Sequence, residues 1–252
     1  MLIRLLILVA TLFGTAASAA PQIAAASDLK FALDEVARSY ATETGATVNI
    51  AYGSSGNFAR QISQGAPFQL FLSADESYVI DLVKTGHAIN DGVLYAVGRI
   101  VLFAPHGSPL VPDENFQSLT ELVVQGKLGK LAIANPDHAP YGRAAREALI
   151  KLGLWTKVQP QLILGENVSQ AAQFATTSGS SGGILAYSLA LAPAVALQGR
   201  YVLLPAALHA PLRQRMALIK NATPEARAFY AYLQQTPARN IFKRYGFVLP
   251  DQ

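Results

Sequence analysis

Four short segments place hydroxyl groups or free backbone amides at points where predicted strands give way to predicted helices. In chain order they are Ser27-Asp28, Gly53-Ser54-Ser55-Gly56, Pro140-Tyr141-Gly142 and Asn167-Val168-Ser169. The start of a helix carries unpaired N–H donors and about half a positive charge, so it attracts an anion without help from Lys or Arg. Four such starts brought together would form a binding site for a small anion.

The energetics allow such a site. A hydrogen bond to a charged group contributes roughly 1.5–3 kcal/mol. Several of them around one buried dianion reach the roughly −8 to −12 kcal/mol of micromolar to nanomolar binding, with no metal or counter-ion. Taken singly, each Ser, Asp or Asn is better explained by capping of its own helix. The combined interpretation depends on all four segments lying beyond the carboxyl ends of strands, where open α/β sheets bind ligands.

The elements that must position these segments alternate along the chain. Strand-like apolar runs are predicted at 22–26, 48–52, 68–73, 100–105, 130–134, 161–164, 183–187 and 216–219. Between them, helical spacing predicts helices from Ser27 or Asp28 to about Gly45, and at 55–64, 141–152, 168–177 and 223–233. This alternation predicts an α/β fold built on mostly parallel sheets flanked by helices.

Composition supports a globular chain. The 252 residues are 51% hydrophobic and 14% charged, enough for one large domain or two modest lobes. The net charge of +4 comes from scattered Lys and Arg, so nucleic-acid binding is not indicated. With no cysteine there is neither a disulfide framework nor a thiol for lipid attachment. No Gly/Ser linker divides the chain, so two lobes would be joined by segments crossing near Arg99 and near Arg213.

The N-terminus is typical of a secretory signal peptide. Arg4 precedes an apolar run from Leu5 to Phe13, and the small residues Ala17 and Ala19 predict cleavage after Ala19. A membrane anchor is the alternative, but the run is shorter than the roughly 20 apolar residues that span a bilayer. We expect a soluble, unanchored protein of a bacterial periplasm.

Five strings, in order, resemble the periplasmic molybdate-binding proteins of ABC transporters, the ModA family. They are AAASDLKFALDEVA, YGSSGNFARQISQGAPFQLFLSAD, NPDHAPYGRAAREAL, LGENVSQAAQFA and IFKRYGFVLP. The GSSG block and the NP…APYG block are the more diagnostic. Together the strings extend over nearly the whole chain after the predicted signal peptide.

The resemblance implies two α/β lobes of the type II periplasmic binding class, with a cleft between them. The implied boundaries are 1–19 for the signal peptide, 20–98 with 212–252 for the first lobe, and 99–211 for the second. The implied oxyanion ligands are Ser27, Asp28 and Ser55 from the first lobe and Tyr141 and Val168 from the second, the last two through backbone N–H groups. No cofactor and no free metal cation are implied.

The resemblance also implies a transport protein and not an enzyme. Its ligand would be molybdate or tungstate, and its partner an ABC transporter permease in the inner membrane. We expect a monomer that closes by hinge bending around the anion and so creates the surface that the permease recognises.

The chain departs from the family pattern at one position. Some members have a tyrosine hydroxyl on the anion after a Gly-Ile strand, whereas here Ala186 holds that position and Tyr187 follows it. One step along a strand reverses the face, so we expect a site with fewer side-chain donors. The Asp28 carboxylate would repel a dianion, and we expect it to turn away and cap its helix, leaving its amide for the ligand.

Other chemistries are weaker readings of the sequence. Gly179-Ser180-Ser181-Gly182-Gly183 matches the G-x-S-x-G pattern of an α/β hydrolase, but a helix precedes it and a strand follows, the reverse of a nucleophile elbow. Four separate histidines, at positions 87, 106, 138 and 209, lack the spacing of metal ligands.

The serious alternative is a binding protein for another oxyanion or a small organic acid. A carboxylate ligand would call for an arginine fork, and Arg60 and Arg143 are better placed as surface charges.

Overall fold

The computed structural model describes residues 19–250. The predicted signal peptide therefore lies outside the described residues except for Ala19. The strands are β1 Gln22–Ala26, β2 Asn49–Gly53, β3 Leu70–Ser73, β4 Val93–Gly98, β5 Ile100–Pro105, β6 Lys130–Ala134, β7 Leu162–Gly165, β8 Ser180–Ala186, β9 Gly199–Leu203 and β10 Leu212–Leu218. The helices are α1 Lys30–Thr44, α2 Ser55–Ser63, α3 Glu76–Lys84, α4 Gln117–Val124, α5 Pro140–Lys151, α6 Trp155–Val158, α7 Val168–Ala175, α8 Tyr187–Ala190, α9 Pro193–Ala196, α10 Pro224–Tyr232 and α11 Thr236–Arg244. Single 3₁₀ turns lie at Ser27–Leu29, Gln159–Gln161 and Ala206–Leu208.

The strands form two five-stranded sheets, ordered β2-β1-β3-β10-β4 and β7-β6-β8-β5-β9. Each sheet with its helices is called here the first or the second lobe. In each sheet four strands point the same way, and one strand, β10 in the first sheet and β5 in the second, runs antiparallel to both of its neighbours. The expected two-lobe α/β class with mostly parallel sheets flanked by helices is confirmed. Each sheet is mixed because the strand that follows a lobe crossing, β5 or β10, runs against the other four.

The chain crosses between the lobes twice. The first crossing joins β4 to β5 directly through Arg99, and the second joins β9 to β10 over residues 204–211. These strands lie in neighbouring sheets although they follow one another closely in sequence. Sequence reasoning did not single out β4 or β9 as strands.

Local signals account for most helix boundaries. Gly45 ends α1 with φ 74°, a left-handed conformation that glycine adopts without steric cost. The Asn167 side chain accepts from the N–H groups of Ser169 and Gln170 and so starts α7. Thr223 caps α10 in the same way through the Ala226 N–H. The first predicted helix divides into a 3₁₀ turn and α1, whose first residue is Lys30.

Apolar packing fixes the sheets in place. Both faces of the first sheet are covered, one by a cluster that includes Leu33, Leu72 and Phe229, the other by a cluster that includes Phe58 and Phe71. The second sheet has one larger cluster that also reaches Ala26 and Ala74 of the first lobe. The two lobes therefore touch through small side chains near the carboxyl ends of β1 and β3.

Candidate functional site

A cavity lies between the lobes, at the carboxyl ends of parallel strands from both sheets. Its empty volume is about 190 Å³. Its walls bring together all five residues expected at the site, namely Ser27, Asp28, Ser55, Tyr141 and Val168. Small side chains complete the wall, so backbone groups approach the cavity closely. The structure thus gathers these residues from segments more than 100 positions apart in the sequence.

Two serine hydroxyls from the first lobe contribute to the wall. Ser55 is fully buried, and its Oγ accepts the Ala74 N–H at 2.9 Å. The Oγ of Ser27 accepts the N–H of Ser169, from the second lobe, at 3.3 Å. A hydroxyl that accepts one hydrogen bond still has its own O–H to donate. Both hydroxyls can therefore serve an anion while they hold their present partners.

Helix starts supply backbone donors. Ser55 and Val168 are the first residues of α2 and α7, so their N–H groups have no acceptor within the helix. Asn167 caps the two amides that follow Val168 and leaves that of Val168 uncapped. In α5 the first residue is Pro140, which has no N–H, so the Tyr141 amide is the first donor there. Each of these helices turns the positive end of its dipole toward the cavity.

The carboxylate of Asp28 does not cap its helix, which corrects the sequence expectation. No side-chain bond caps the 3₁₀ turn at Ser27–Leu29. Instead Asp28 Oδ2 accepts from the Tyr141 hydroxyl at 2.9 Å and from Gln214 Nε2 at 2.7 Å, while Oδ1 has no hydrogen-bond partner. Burial raises the pKa of the Asp28 carboxyl to about 6, and the bonds from Gln214 and Tyr141, with the nearby backbone amides of Asp28 and Leu29, only partly oppose the shift.

A buried chain of hydrogen bonds leads from this carboxylate across the first sheet. Gln214 Oε1 accepts from the Tyr95 hydroxyl at 2.7 Å, and Gln214 Nε2 also lies 3.1 Å from the Tyr141 hydroxyl oxygen. Burial, followed by the charge of Asp28, raises the pKa of Tyr95 and of Tyr141 well above the ordinary value. Both phenols therefore stay protonated and act as donors. Tyr141 links the lobes with its side chain and offers its amide to the cavity.

The cavity wall contains no cation among the described residues. Arg143 extends from the second lobe to Asp75 and to the Tyr78 hydroxyl of the first, and Arg60 bonds Asn57 on the exposed side of α2. Neither arginine lines the cavity, in agreement with their expected place outside it. Any anion held here would depend on neutral N–H and O–H donors.

Sequence reasoning missed several residues of this region. Ser54, next to Ser55, lines the cavity, and its hydroxyl contacts His138 Nδ1 across the cleft at 2.9 Å. Asn167 lines it as well as capping α7. Nothing in the local sequence identifies Gln214 as part of the site. It differs from its neighbours Arg213 and Arg215 in being buried, and burial is not visible in the sequence. His138 lies at the contact between the lobes.

Tyr187 does not line the cavity; its ring packs against Tyr201 at a centroid distance of 5.9 Å. The next residue, Ser188, donates its hydroxyl to the backbone oxygen of Asp28 at 2.7 Å. Ser181 of the G-x-S-x-G string lies inside β8, and its Oγ accepts the Gly129 N–H. That environment differs from a strand-to-helix nucleophile elbow.

The described residues include neither a metal-binding cluster nor a membrane-spanning helix. Between Ala19 and Pro250 no group of three or more His, Cys, Asp or Glu side chains is arranged to hold a metal ion. Within the same range no helix combines the length and apolarity needed to cross a bilayer.

Known proteins share this sequence and fold. The family model described as "Bacterial extracellular solute-binding protein" matches residues 21–248. The molybdate-binding protein ModA of Rhodobacter capsulatus is 36% identical over 217 residues, 85% of this chain and 82% of the relative. ModA of Escherichia coli K12 is 34% identical over 233 residues, covering 89% of this chain and 87% of the relative.

The solved structure of the periplasmic molybdate-binding protein of Azotobacter vinelandii superposes with a TM-score of 0.82 at 30% identity. It covers 92% of this chain and 100% of that one. The matches extend over both lobes and over every segment of the cavity wall. The chain belongs to the ModA family of bacterial extracellular solute-binding proteins.

Proposed function

We propose that this protein captures molybdate, and also tungstate, outside the cytoplasm and delivers it to the permease of an ABC transporter. The relatives named above are molybdate-binding proteins. The observation that carries the proposal for this chain is the convergence of helix starts with free first amides and of serine hydroxyls on one small cavity, whose described wall residues include no Lys or Arg. A tetrahedral dianion offers oxygen acceptors on all sides, which suits donors that approach from two lobes.

In this mechanism Ser27, Asp28 and Ser55 hold the anion from the first lobe, Asp28 through its amide. Tyr141 and Val168 donate their amides from the second. The ligand favours closure because donors from both lobes reach it only when the lobes meet. The protein acts as a monomer without a cofactor and performs no chemistry on its ligand. We take residues 20–98 with 212–252 as the first lobe and 99–211 as the second, with the two crossings as the hinge.

The proposal includes export to the periplasm and cleavage after Ala19. Mass spectrometry of the protein from a periplasmic extract tests this part. A mature N-terminus at Ala20 is expected, and retention of residues 1–19 would contradict it.

Calorimetric titration of the purified protein with a panel of oxyanions tests the ligand. We expect molybdate and tungstate to bind at micromolar to nanomolar dissociation constants and to raise the melting temperature, since a ligand that binds only the folded state stabilises it. Sulfate, phosphate and small carboxylates are expected to give little heat and little shift. Equal binding of sulfate would reassign the protein to a general oxyanion carrier, and tight binding of a carboxylate alone would reject the proposed ligand.

Replacement of Ser55 tests the site. Ser55→Ala removes a hydroxyl donor to a charged ligand, so the dissociation constant for molybdate should rise about 10- to 100-fold, as expected from 1.5–3 kcal/mol. Ser63→Ala is the matched control, since Ser63 lies on the same helix with its hydroxyl on the Arg60 carbonyl in an exposed position. If both variants bind like the parent protein, Ser55 does not contact the ligand.

A further inference from the structure

The two oxygens of the Asp28 carboxyl group are used unequally. Oδ2 takes both available donors, from Tyr141 and Gln214, and Oδ1 takes none, although the side chain is buried. An ionised carboxylate has acceptor sites on both oxygens, and leaving one bare in a dry environment is costly. A protonated acid needs hydrogen-bond donors only at its carbonyl oxygen, while its hydroxyl group becomes a donor itself. The observed pattern is that of a neutral acid, with Oδ2 as the carbonyl and Oδ1 as the hydroxyl.

Among residues 19–250, no positive charge is placed to stabilise an ionised Asp28. The elements packed on its 3₁₀ turn are β2, α1, α7 and α8, and of these β2, α7 and α8 have no Lys, Arg, His, Asp or Glu. In α1 the nearest cation, Lys30, pairs with Asp34. From α5 and β4 the facing ionisable groups are the phenols of Tyr141 and Tyr95.

On β10 the residue that contacts Asp28 is the neutral Gln214. Its two neighbours, Arg213 and Arg215, both pair with Glu76. No cation is therefore directed at the carboxyl group from this strand. Asp28 therefore receives hydrogen bonds from neutral donors alone, and an anion in the cavity would do the same.

An anion in the cavity makes ionisation of Asp28 still less favourable. Asp28 lines the cavity, and a dianion there adds two negative charges in a buried space without counter-charge. Like charges in a medium of low dielectric raise the pKa of a carboxyl group. The group must lose its charge or weaken the binding.

We propose that Asp28 occupies the anion-bound site as a neutral carboxylic acid, so that capture of a dianion from neutral solution also takes up one proton. The inference rests on the proposed function and adds Asp28 as a positioning residue. The proton on Oδ1 neutralises the carboxyl group, while Oδ2 keeps the hydrogen bonds that hold Tyr141 and its amide in place. The buffer supplies the proton, and no other bond forms or breaks.

The ligand-free pKa of about 6 sets the pH range of the effect. Near pH 6 half of the molecules already hold the proton, so uptake is about half a proton per anion. Near pH 8 almost none hold it, and uptake approaches one. The dissociation constant should therefore rise about tenfold per pH unit between about pH 7 and pH 8.

The test is calorimetric titration of the purified protein with sodium molybdate at about pH 6, 7 and 8. At each pH it is run in two buffers of different ionisation enthalpy. The dependence of the observed enthalpy on the buffer gives the number of protons taken up. This measurement needs no variant and so does not depend on a substituted protein folding.

Three variants identify the group that takes up the proton. Asp28→Asn keeps an oxygen for Tyr141 and Gln214 but cannot ionise, so uptake should fall to near zero and affinity should no longer depend on pH. Asp137→Asn, an exposed carboxylate beside the cleft, is the matched control and should behave like the parent protein. His138→Gln removes the histidine at the lobe contact, where His138 meets Ser54 and Glu166, and should also keep the uptake.

Uptake that vanishes only in Asp28→Asn supports the proposal. It is overturned if the parent protein binds molybdate with the same affinity and no proton uptake at every pH, and the proposed function then still stands. It is overturned equally if uptake persists in Asp28→Asn or disappears in His138→Gln. No binding of molybdate at any pH would instead reject the proposed function, and the inference with it.

Discussion

At the scale of single residues, Asp28 is the one carboxylate among the described residues of the cavity wall, and its neighbours there are neutral. It is 1% exposed and bonded to two neutral donors from different elements. A side chain that only capped its helix would have been solvated at the turn. Here it joins the first lobe to Tyr141 of the second, so its charge affects the fold as well as the ligand.

Asp28→Asn should stabilise the ligand-free protein at alkaline pH. The pKa rises from 3.8 in the unfolded chain to about 6 in the folded protein. At a pH below both values the carboxyl group is protonated in the folded and in the unfolded state, so it does not lower the folding stability. As the pH rises through this window the unfolded chain loses its proton first, and folding stability falls by about 3 kcal/mol.

Urea unfolding of the parent protein and Asp28→Asn near pH 4 and near pH 8 measures this effect. The stability gain of the variant should grow by about 2–3 kcal/mol between the two pH values, since near pH 4 the carboxyl of the unfolded chain is already partly ionised. Asp137→Asn should show no such growth. An equal difference at both pH values would mean that Asp28 ionises freely in the folded protein.

At the scale of elements, the start of α2 is pressed against the second lobe. The Gly56 N–H donates to the His138 carbonyl oxygen at 3.0 Å. A Cβ at position 56 would lie 2.7 Å from that oxygen and 2.8 Å from the Tyr78 hydroxyl. Glycine is needed here for the approach of the two lobes, and not for the conformation of the helix.

Gly56→Ala should therefore impair closure of the lobes without impairing folding. Alanine favours the helix, so the melting temperature of the ligand-free protein should hold or rise slightly. The added methyl group obstructs the lobe contact at a cost of about 1–3 kcal/mol, so molybdate should bind about 5- to 100-fold more weakly. Thermal melting and calorimetry check the two parts. A variant with unchanged molybdate affinity would show that the lobes need not approach this closely, and Ser63→Ala controls for substitution in α2.

At the scale of the whole molecule, polar pairs rim the cleft around the cavity. Arg143 contacts Asp75 and Tyr78, and Asn57 contacts Glu166, each pair joining the two lobes. At the hinge, a Cβ on Gly98 would lie 2.2 Å from the Tyr141 hydroxyl oxygen. Closure thus brings the cavity donors together, forms the rim pairs and packs Tyr141 against the first crossing.

Arg143→Gln should weaken molybdate binding by about two- to fivefold, because a partly exposed ion pair contributes up to about 1 kcal/mol. Small-angle scattering should also show a smaller contraction on addition of molybdate. Lys84→Gln is the matched control, since Lys84 pairs with Asp81 inside one lobe and in an exposed position. The same affinity in both variants would show that the Arg143 contact does not support closure.

Local sequence determined the boundaries of most elements and the chemical character of the site. The glycine at position 45, the asparagine at 167 and the threonine at 223 act on backbone groups within a few residues, so their effects can be read without a fold. The same holds for the four polar helix starts. Their arrangement around one cavity was predicted, and their contact with an anion stays a prediction.

Tertiary structure alone decided the partners of the buried polar groups and the direction of the strands beside the crossings. Asp28 meets Tyr141 across 113 positions and Gln214 across 186. Such partners depend on how two sheets are set against each other by the crossings at Arg99 and at 204–211. Local propensity contains no information on that geometry, so the carboxylate expected to cap a helix instead joins the two lobes.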